Sequence, residues 1–160
     1  SMAAGCHNQA MQPLTVEALV GSWQLVRWTI EYPDGRTPTL PFGDDALGLI
    51  VYAADGWMTA TMCRRRRAGL SSPTAARASI DSKARAFDEY LTYGGRWRLE
   101  GDAVVHDVLV SMNPSLIGTP QRRVARLGDD GRELDLLADE TDPERGRARR
   151  HRISWVQEGR

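Results

Sequence analysis

Hydrophobic and polar residues alternate along most of the chain. Alternation with a period of two is typical of β-strands that bury one face. It recurs in eight segments, over residues 21–32, 48–53, 57–63, 96–100, 104–111, 121–127, 133–138 and 149–157. Most of these are joined by short connections, and antiparallel strands in such a series close readily because closure removes both exposed edges. The pattern predicts a mostly β fold, an antiparallel up-and-down eight-stranded barrel.

One segment has a helical period instead. Ser72 and Pro73 are suited to begin a helix, and Gly94-Gly95 to end it. Apolar residues between them lie at spacings of three and four, forming one stripe of Ala76, Ile80, Ala84, Phe87 and Leu91. The stripe predicts a helix over residues 73–92 that packs across one end of the barrel. A shorter helix is predicted over residues 16–20, before the first strand.

Length and charge limit the possible classes of protein. The 160 residues fit one domain over residues 13–160, after a flexible leader over residues 1–12 that begins with a cloning remnant, Ser1-Met2. Lys and Arg together number 21, as do Asp and Glu, so no net field favours nucleic acid or an anionic membrane. The apolar runs are too short to span a membrane, and no signal peptide is evident. These features predict a cytoplasmic protein; they leave open whether it forms a homodimer.

Neither a metal site nor a cofactor motif is evident. The three histidines, of which His7 lies in the leader, have no carboxylate or cysteine at ligand spacing. Cys6 and Cys63 form neither a disulfide framework nor a metal-binding pattern. No phosphate-binding loop, nucleophile elbow or nucleotide motif occurs. We therefore expect a protein that works without a metal or cofactor.

A histidine on an apolar strand is the first candidate for chemistry. In residues 104–111, His106 shares a face with Val108 and Val110, while Asp107 lies on the other face. Burial would lower the pKa of the imidazole and keep it neutral near pH 7, which suits a general base. The alternative is a core histidine whose hydrogen bonds are satisfied within the protein.

The next strand begins with a group of hydrogen-bond donors, Gln121, Arg122 and Arg123. Burying a guanidinium inside a barrel costs free energy unless an anion or carbonyl groups accept its hydrogen bonds. A ligand carboxylate, enolate or phenolate could be that partner. The alternative is a structural ion pair with Asp107 or Glu133, and the alternation alone does not decide whether Arg122 or Arg123 points inward.

Aromatic residues could line the interior. Trp57 and Trp97 are candidates for stacking on a flat ligand, and Tyr52 and Tyr93 could offer hydroxyl groups. Simple packing is the alternative for each of them. Trp23 and Trp155 are interpreted as barrel-core residues.

Seven segments in order resemble the bacterial and fungal lipocalin-like domain family. They are LVGSWQLV, PFG, GLIVYAADGWMTATM, YLTYGGRW, VVHDVLVS, GTPQRR and HRISW, and together they span nearly the whole chain after Leu14. The resemblance implies a calycin-type barrel, and its pattern favours Arg123 as the inward arginine, with Ala125 and Leu127 on the same face. The chain departs from it at Asp107, where relatives often carry a second histidine, and at Ala125, which is commonly aromatic in relatives.

The resemblance and the candidate residues support two functions. The resemblance implies an association with secondary metabolism, so the first hypothesis is a cofactor-independent cyclase, isomerase or dehydratase for a hydrophobic polyketide-like or terpenoid-like intermediate. His106 would transfer a proton, and Arg123 or Gln121 would stabilise developing negative charge. The predicted ligand contacts are Tyr52, Trp57, Tyr93, Trp97, Val108 and Ala125. The second hypothesis is a carrier that binds a small apolar metabolite without turnover.

Overall fold

The computed structural model describes residues 13–158 and confirms the predicted barrel. The eight strands are Gly21–Glu31 (β1), Leu47–Tyr52 (β2), Trp57–Cys63 (β3), Tyr90–Glu100 (β4), Ala103–Ser111 (β5), Pro120–Leu127 (β6), Glu133–Thr141 (β7) and Ala148–Val156 (β8). Each strand pairs with its neighbours in sequence, β8 closes on β1, and every pairing is antiparallel. The leader, with Cys6 and His7, lies outside the described residues.

The long helix is shorter than predicted, and its apolar stripe is not buried. A four-residue helix, Val16–Leu19 (α1), precedes β1, and the second helix is Ile80–Asp88 (α2). Ser79, not Ser72, caps α2 by accepting a hydrogen bond from the Ser82 amide. Ile80 is 84% exposed and Phe87 is also exposed, whereas Ser82 is buried. The prediction that the stripe packs across the barrel end is therefore wrong. No helix among residues 13–158 is long and apolar enough to cross a membrane.

Two glycines explain where the helical interpretation failed. Gly94 and Gly95 do not end a helix but lie within β4, which begins at Tyr90 and pairs with β3 from Tyr90 to Arg96. A Cβ atom on Gly95 would lie 2.0 Å from the Asp107 carbonyl oxygen, so a larger residue could not occupy this position without moving β5. Strand pairing thus overrides the helical spacing that ends at Leu91.

Two bulges change which residues face the interior. The β4–β5 register shifts between Gly94 and Gly95, leaving Leu109 as an extra residue on β5. Val110 consequently points outward and is 66% exposed, so its predicted place beside His106 is wrong. A similar shift at Val26 in β1 turns the following Trp28 inward.

The two ends of the barrel are closed to different degrees. At one end α1 packs against the core, and the Trp23 indole donates a hydrogen bond to the Leu19 carbonyl. The short turns between β2 and β3, β4 and β5, and β6 and β7 lie at this closed end. The longer connections, including the one that contains α2, lie at the opposite, open end. A ligand cavity is therefore expected to open there.

The pairing of strands in the barrel wall is incomplete between β6 and β7. Four residue pairs join these strands, from Val124–Leu137 to Leu127–Leu134. Beyond them, towards the open end, residues 120–123 pair only with β5 and residues 138–141 only with β8. The Arg122 carbonyl, which faces this gap, accepts a hydrogen bond from the Arg123 guanidinium at 3.0 Å. A side chain thus replaces part of the missing strand pairing.

Candidate functional site

A cavity of about 950 Å³ occupies the open half of the barrel and continues to the gap between β6 and β7. Its apolar lining includes Ile50, Ala60, Met62, Leu136, Ile153 and Trp155. Its polar lining falls into two groups, one containing His106 and one at the open end containing His151. The size and mixed lining suit one small, mainly apolar ligand.

The first group, here called the deep cluster, consists of Tyr52, Tyr93 and His106. The Tyr52 hydroxyl lies 2.7 Å from His106 Nε2, and the Tyr93 hydroxyl lies 2.6 Å from His106 Nδ1. The strand pairing explains why these three side chains lie together. His106 on β5 pairs with Trp97 on β4 and with Gln121 on β6, and β2, which carries Tyr52, is joined to β4 through β3. Both ring nitrogens are therefore hydrogen-bonded inside the protein.

The tautomer of His106 follows from the surroundings of the two tyrosines. Tyr52 is fully buried, and His106 is its one hydrogen-bond partner among residues 13–158, so its O–H must donate to Nε2 or lose its bond. An unsatisfied buried hydroxyl costs about 1–3 kcal/mol. We therefore assign the proton to Nδ1, which donates to the Tyr93 oxygen. Tyr93 lines the cavity, and with this tautomer its own O–H is not used in the bond to His106.

Burial keeps all three groups of the deep cluster uncharged. Desolvation, followed by the nearby Arg123 guanidinium, lowers the pKa of His106 to about 3. Desolvation raises the pKa of both Tyr52 and Tyr93 above the usual phenol value. His106 is neutral at pH 7, as expected from the sequence, but it is too weakly basic to accept a proton readily. The cluster instead presents one neutral donor, the Tyr93 hydroxyl.

Arg123 adds a positive charge whose field reaches all three groups of the deep cluster. The register places Arg123, Ala125 and Leu127 towards the interior, and Arg122 outside, where it lies 3.7 Å from both Glu100 and Asp102. The Arg123 guanidinium donates to the Arg122 carbonyl and, at 3.3 Å, to the Gln121 side-chain oxygen. No carboxylate in the described chain lies within ion-pair distance of it, so neither predicted pair, with Asp107 or Glu133, forms. Most of its N–H groups remain for a ligand.

The second group, the rim cluster, consists of Trp28, Glu140 and His151. The Trp28 indole donates to His151 Nδ1 at 3.0 Å, so the proton of a neutral His151 must lie on Nε2. That nitrogen lies 2.6 Å from the Glu140 carboxylate, which Arg149 also contacts. Partial burial would by itself raise the pKa of Glu140, but the bonds from His151 and Arg149 together outweigh it and lower the pKa. The rim cluster is thus charged where the deep cluster is neutral.

The structure gathers four of the predicted site residues at the cavity surface and places five elsewhere. His106, Gln121, Arg123 and Tyr93 line the cavity. Tyr52 lies behind His106, and Trp97 packs on Tyr52 and donates to the Ala53 carbonyl. Val108 and Ala125 face inward but are closed within the core. Trp57 is 48% exposed on the outer face, where its ring stacks on Arg96, so it cannot line the cavity.

Sequence reasoning missed the rim cluster and the cavity-facing role of Trp155. Alternation along β8 would have placed His151, Ile153 and Trp155 on one face. Glu140 was missed because β7 runs to Thr141, three residues beyond its predicted end. Trp28 faces inward because of the bulge at Val26, which the alternation does not reveal. In the described part of the chain, no group of three or more His, Cys, Asp and Glu side chains is arranged to hold a metal ion.

The closed barrel, its capped end and its partly apolar cavity define a small-molecule-binding barrel. The chain matches the model of the lipocalin-like domain family over residues 20–157 and belongs to that family. A search of curated proteins found no match. The family accounts for the barrel and for the binding of a small ligand within it.

Proposed function

We propose that the protein is a cofactor-independent cyclase, isomerase or dehydratase for a hydrophobic polyketide-like or terpenoid-like intermediate. The observation that carries this proposal is that two hydrogen-bond donors, Tyr93 and Arg123, line the same cavity and that the charge of Arg123 acts on Tyr93. Arg123 is a lumen guanidinium without a carboxylate partner in residues 13–158, and Tyr93 has an O–H that its histidine neighbour does not use. Together they suit a ligand oxygen on which negative charge develops.

The chemistry follows from what such a pair does to a carbonyl. Hydrogen bonds from Tyr93 and Arg123 would polarise the carbonyl and stabilise the oxygen as it gains charge during a ring closure that transfers no proton to the protein. A single donor of this kind contributes about 10²–10³-fold in rate. The apolar wall of Ile50, Leu136 and Ile153 would hold the remaining chain in a folded conformation, which lowers the entropic part of the barrier.

This proposal changes the role first predicted for His106. With both nitrogens bonded and a pKa of about 3, His106 is a positioning residue and not the proton acceptor. It accepts from Tyr52 and donates to Tyr93, which orients the Tyr93 O–H and strengthens it as a donor. Gln121 has a similar relation to Arg123, because its side-chain oxygen accepts from the guanidinium.

The donor pair can be tested with β-naphthol, whose absorbance distinguishes the phenol from the phenolate. A site that stabilises an oxyanion should bind the naphtholate form preferentially and lower the apparent pKa of the bound probe. Arg123→Met should weaken naphtholate binding about 10–100-fold, since it removes a charge-assisted hydrogen bond. Arg98→Met is the matched control, because Arg98 lies outside the cavity and is paired with Glu100 and Asp107, and should change affinity less than about threefold. Equal losses in the two variants would contradict the proposed site.

Turnover needs a separate measurement. A linear trienone that cyclises slowly on its own can be incubated with the protein, and product formation followed by mass spectrometry. Tyr93→Phe should lower the rate about 10²-fold while retaining binding within a few-fold, because the hydroxyl acts mainly on the developing charge. If wild type binds the trienone but gives no rate above the spontaneous one for it or for related enones, catalysis is excluded for that class.

The alternative function is a carrier of a small apolar metabolite with an acidic group. The neutral, fully bonded His106 favours this alternative, because the deep cluster contains no group that accepts a proton near pH 7. A carrier would bind the same probes through Arg123, and its Tyr93→Phe variant would change affinity alone. The trienone experiment thus separates the two functions.

A further inference from the structure

The indole N–H of Trp155, a residue that lines the cavity, is buried without a hydrogen-bond acceptor. Trp155 is 3% exposed and lines the inner part of the cavity, and its Nε1 has no partner among the described residues. The other inward-facing indoles differ: Trp23 donates to Leu19, Trp28 to His151 and Trp97 to Ala53. A buried N–H without a partner costs about 1–3 kcal/mol, so a group that accepts from it gains that energy.

The strand register places this N–H well away from Arg123. Trp155 pairs with Leu134 on β7, and Leu134 pairs with Leu127 on β6, so the three lie in one row across the sheet. Arg123 lies four residues from that row along β6, towards the open end. At about 3.3 Å per residue, the rows of Trp155 and Arg123 are separated by roughly 13 Å along the strands.

The surface between the two donors is apolar. Ile50, Leu136 and Ile153 line this part of the cavity, and Leu136 and Ile153 are themselves a cross-strand pair. A polar group of the ligand at this level would lose its hydration without gaining a partner. The cavity therefore has donors at two depths and a hydrophobic zone between them.

We infer that Trp155 forms a second ligand subsite, which takes a neutral oxygen acceptor such as a ketone, ether or hydroxyl group. The ligand class is an elongated molecule with an acidic or carbonyl head group at Arg123 and Tyr93, an apolar middle and an oxygen roughly 13 Å from the head. This inference rests on the head-group role proposed for Arg123. If the inference is correct, a ligand with an oxygen acceptor in its tail binds more tightly than one whose tail is purely hydrocarbon.

Two probes that differ in one oxygen test the subsite. One is a saturated fatty acid, and the other is the same acid with a ketone near its far end, placed about 13 Å from the carboxylate. Wild type should bind the keto acid about 5–10-fold more tightly, as expected for one added hydrogen bond. Trp155→Phe, which removes the N–H and keeps an aromatic ring, should abolish that ratio. Trp57→Phe, on the outer face, is the matched control and should leave the ratio unchanged.

A direct signal comes from the indole resonances in a ¹H–¹⁵N spectrum. The Trp155 peak, assigned by its loss in Trp155→Phe, should move downfield with the keto acid and less with the plain acid. Equal binding of both probes by wild type, with an unmoved Trp155 peak, would overturn the subsite and indicate that water alone satisfies the N–H. Arg123→Met separates the two proposals: it should weaken both probes equally. If it weakens neither while the keto preference persists, the head-group proposal fails and the Trp155 subsite stands.

Discussion

The two histidines of the cavity each make two side-chain hydrogen bonds, but their partners differ in charge. Each has both ring nitrogens bonded to side chains, yet His106 lies between two phenols in the core, whereas His151 lies between an indole and a carboxylate near the rim. Desolvation lowers the pKa of His106, whereas His151 lies beside the Glu140 carboxylate. The comparison teaches that the hydrogen-bond partners of a histidine in a barrel decide which of its ring nitrogens accepts and which donates.

The largest expected difference between the two clusters is in stability. His106→Ala would remove a side chain that is 1% exposed and leave the Tyr52 and Tyr93 hydroxyls without their partner. We expect a loss of about 3–5 kcal/mol in the free energy of unfolding. His151→Ala, at a partly exposed site, should cost about 1 kcal/mol. Denaturant unfolding measures both, and equal losses would contradict the distinction between the clusters.

The second largest expected effect is on the pH dependence of stability, to which His106 of the deep cluster should contribute. The pKa of His106 is about 3 in the folded protein and near its ordinary value when unfolded, so the unfolded chain binds more protons between these values. The stability associated with neutral His106 is fully present above about pH 6.5 and is lost as the pH falls towards 3. The slope is about 1.4 kcal/mol per pH unit for this group.

The matched variant for this measurement is His106→Gln, which can both donate and accept but does not titrate. The difference in unfolding free energy between wild type and His106→Gln should therefore shrink as the pH falls from about 6.5 to 4, because other groups contribute equally to both proteins. A pH-independent difference would mean that His106 has an ordinary pKa in the folded state.

The smallest expected difference between the two clusters is in the tautomer of their histidines. His106 should carry its proton on Nδ1 and a neutral His151 on Nε2, since Tyr52 and Trp28 donate to the opposite nitrogens. Long-range ¹H–¹⁵N correlation spectra separate the two forms by their nitrogen shifts. Tyr52→Phe removes the donor to Nε2 and should change the His106 pattern alone. Finding the same tautomer at both sites would break the comparison and remove the argument that the Tyr93 O–H faces the ligand.

The sequence predicts the barrel because alternation is a property of every strand. Together with the family resemblance, which favours Arg123 over Arg122, it also places His106, Arg123 and Tyr93 in one interior, but it does not reveal the rim cluster. The failures have local causes: bulges at Val26 and Leu109 reverse the faces of the residues that follow, and a period-two pattern contains no sign of them. The helix prediction failed because the spacing from Ile80 to Leu91 fits a helix, while Tyr90–Gly95 gains more by pairing with β3.

The short contact between β6 and β7 has a consequence for motion. Four residue pairs join these strands, whereas nine join β7 to β8. β1 and β2 also share four pairs, but there Thr39 bridges to Ile30 beside the exposed part of β1. Amides at the β6–β7 seam should therefore exchange with solvent deuterium through local opening, well below the free energy of global unfolding. Such a seam lets the cavity wall widen and a ligand exchange while the rest of the hydrogen-bonded cylinder stays intact.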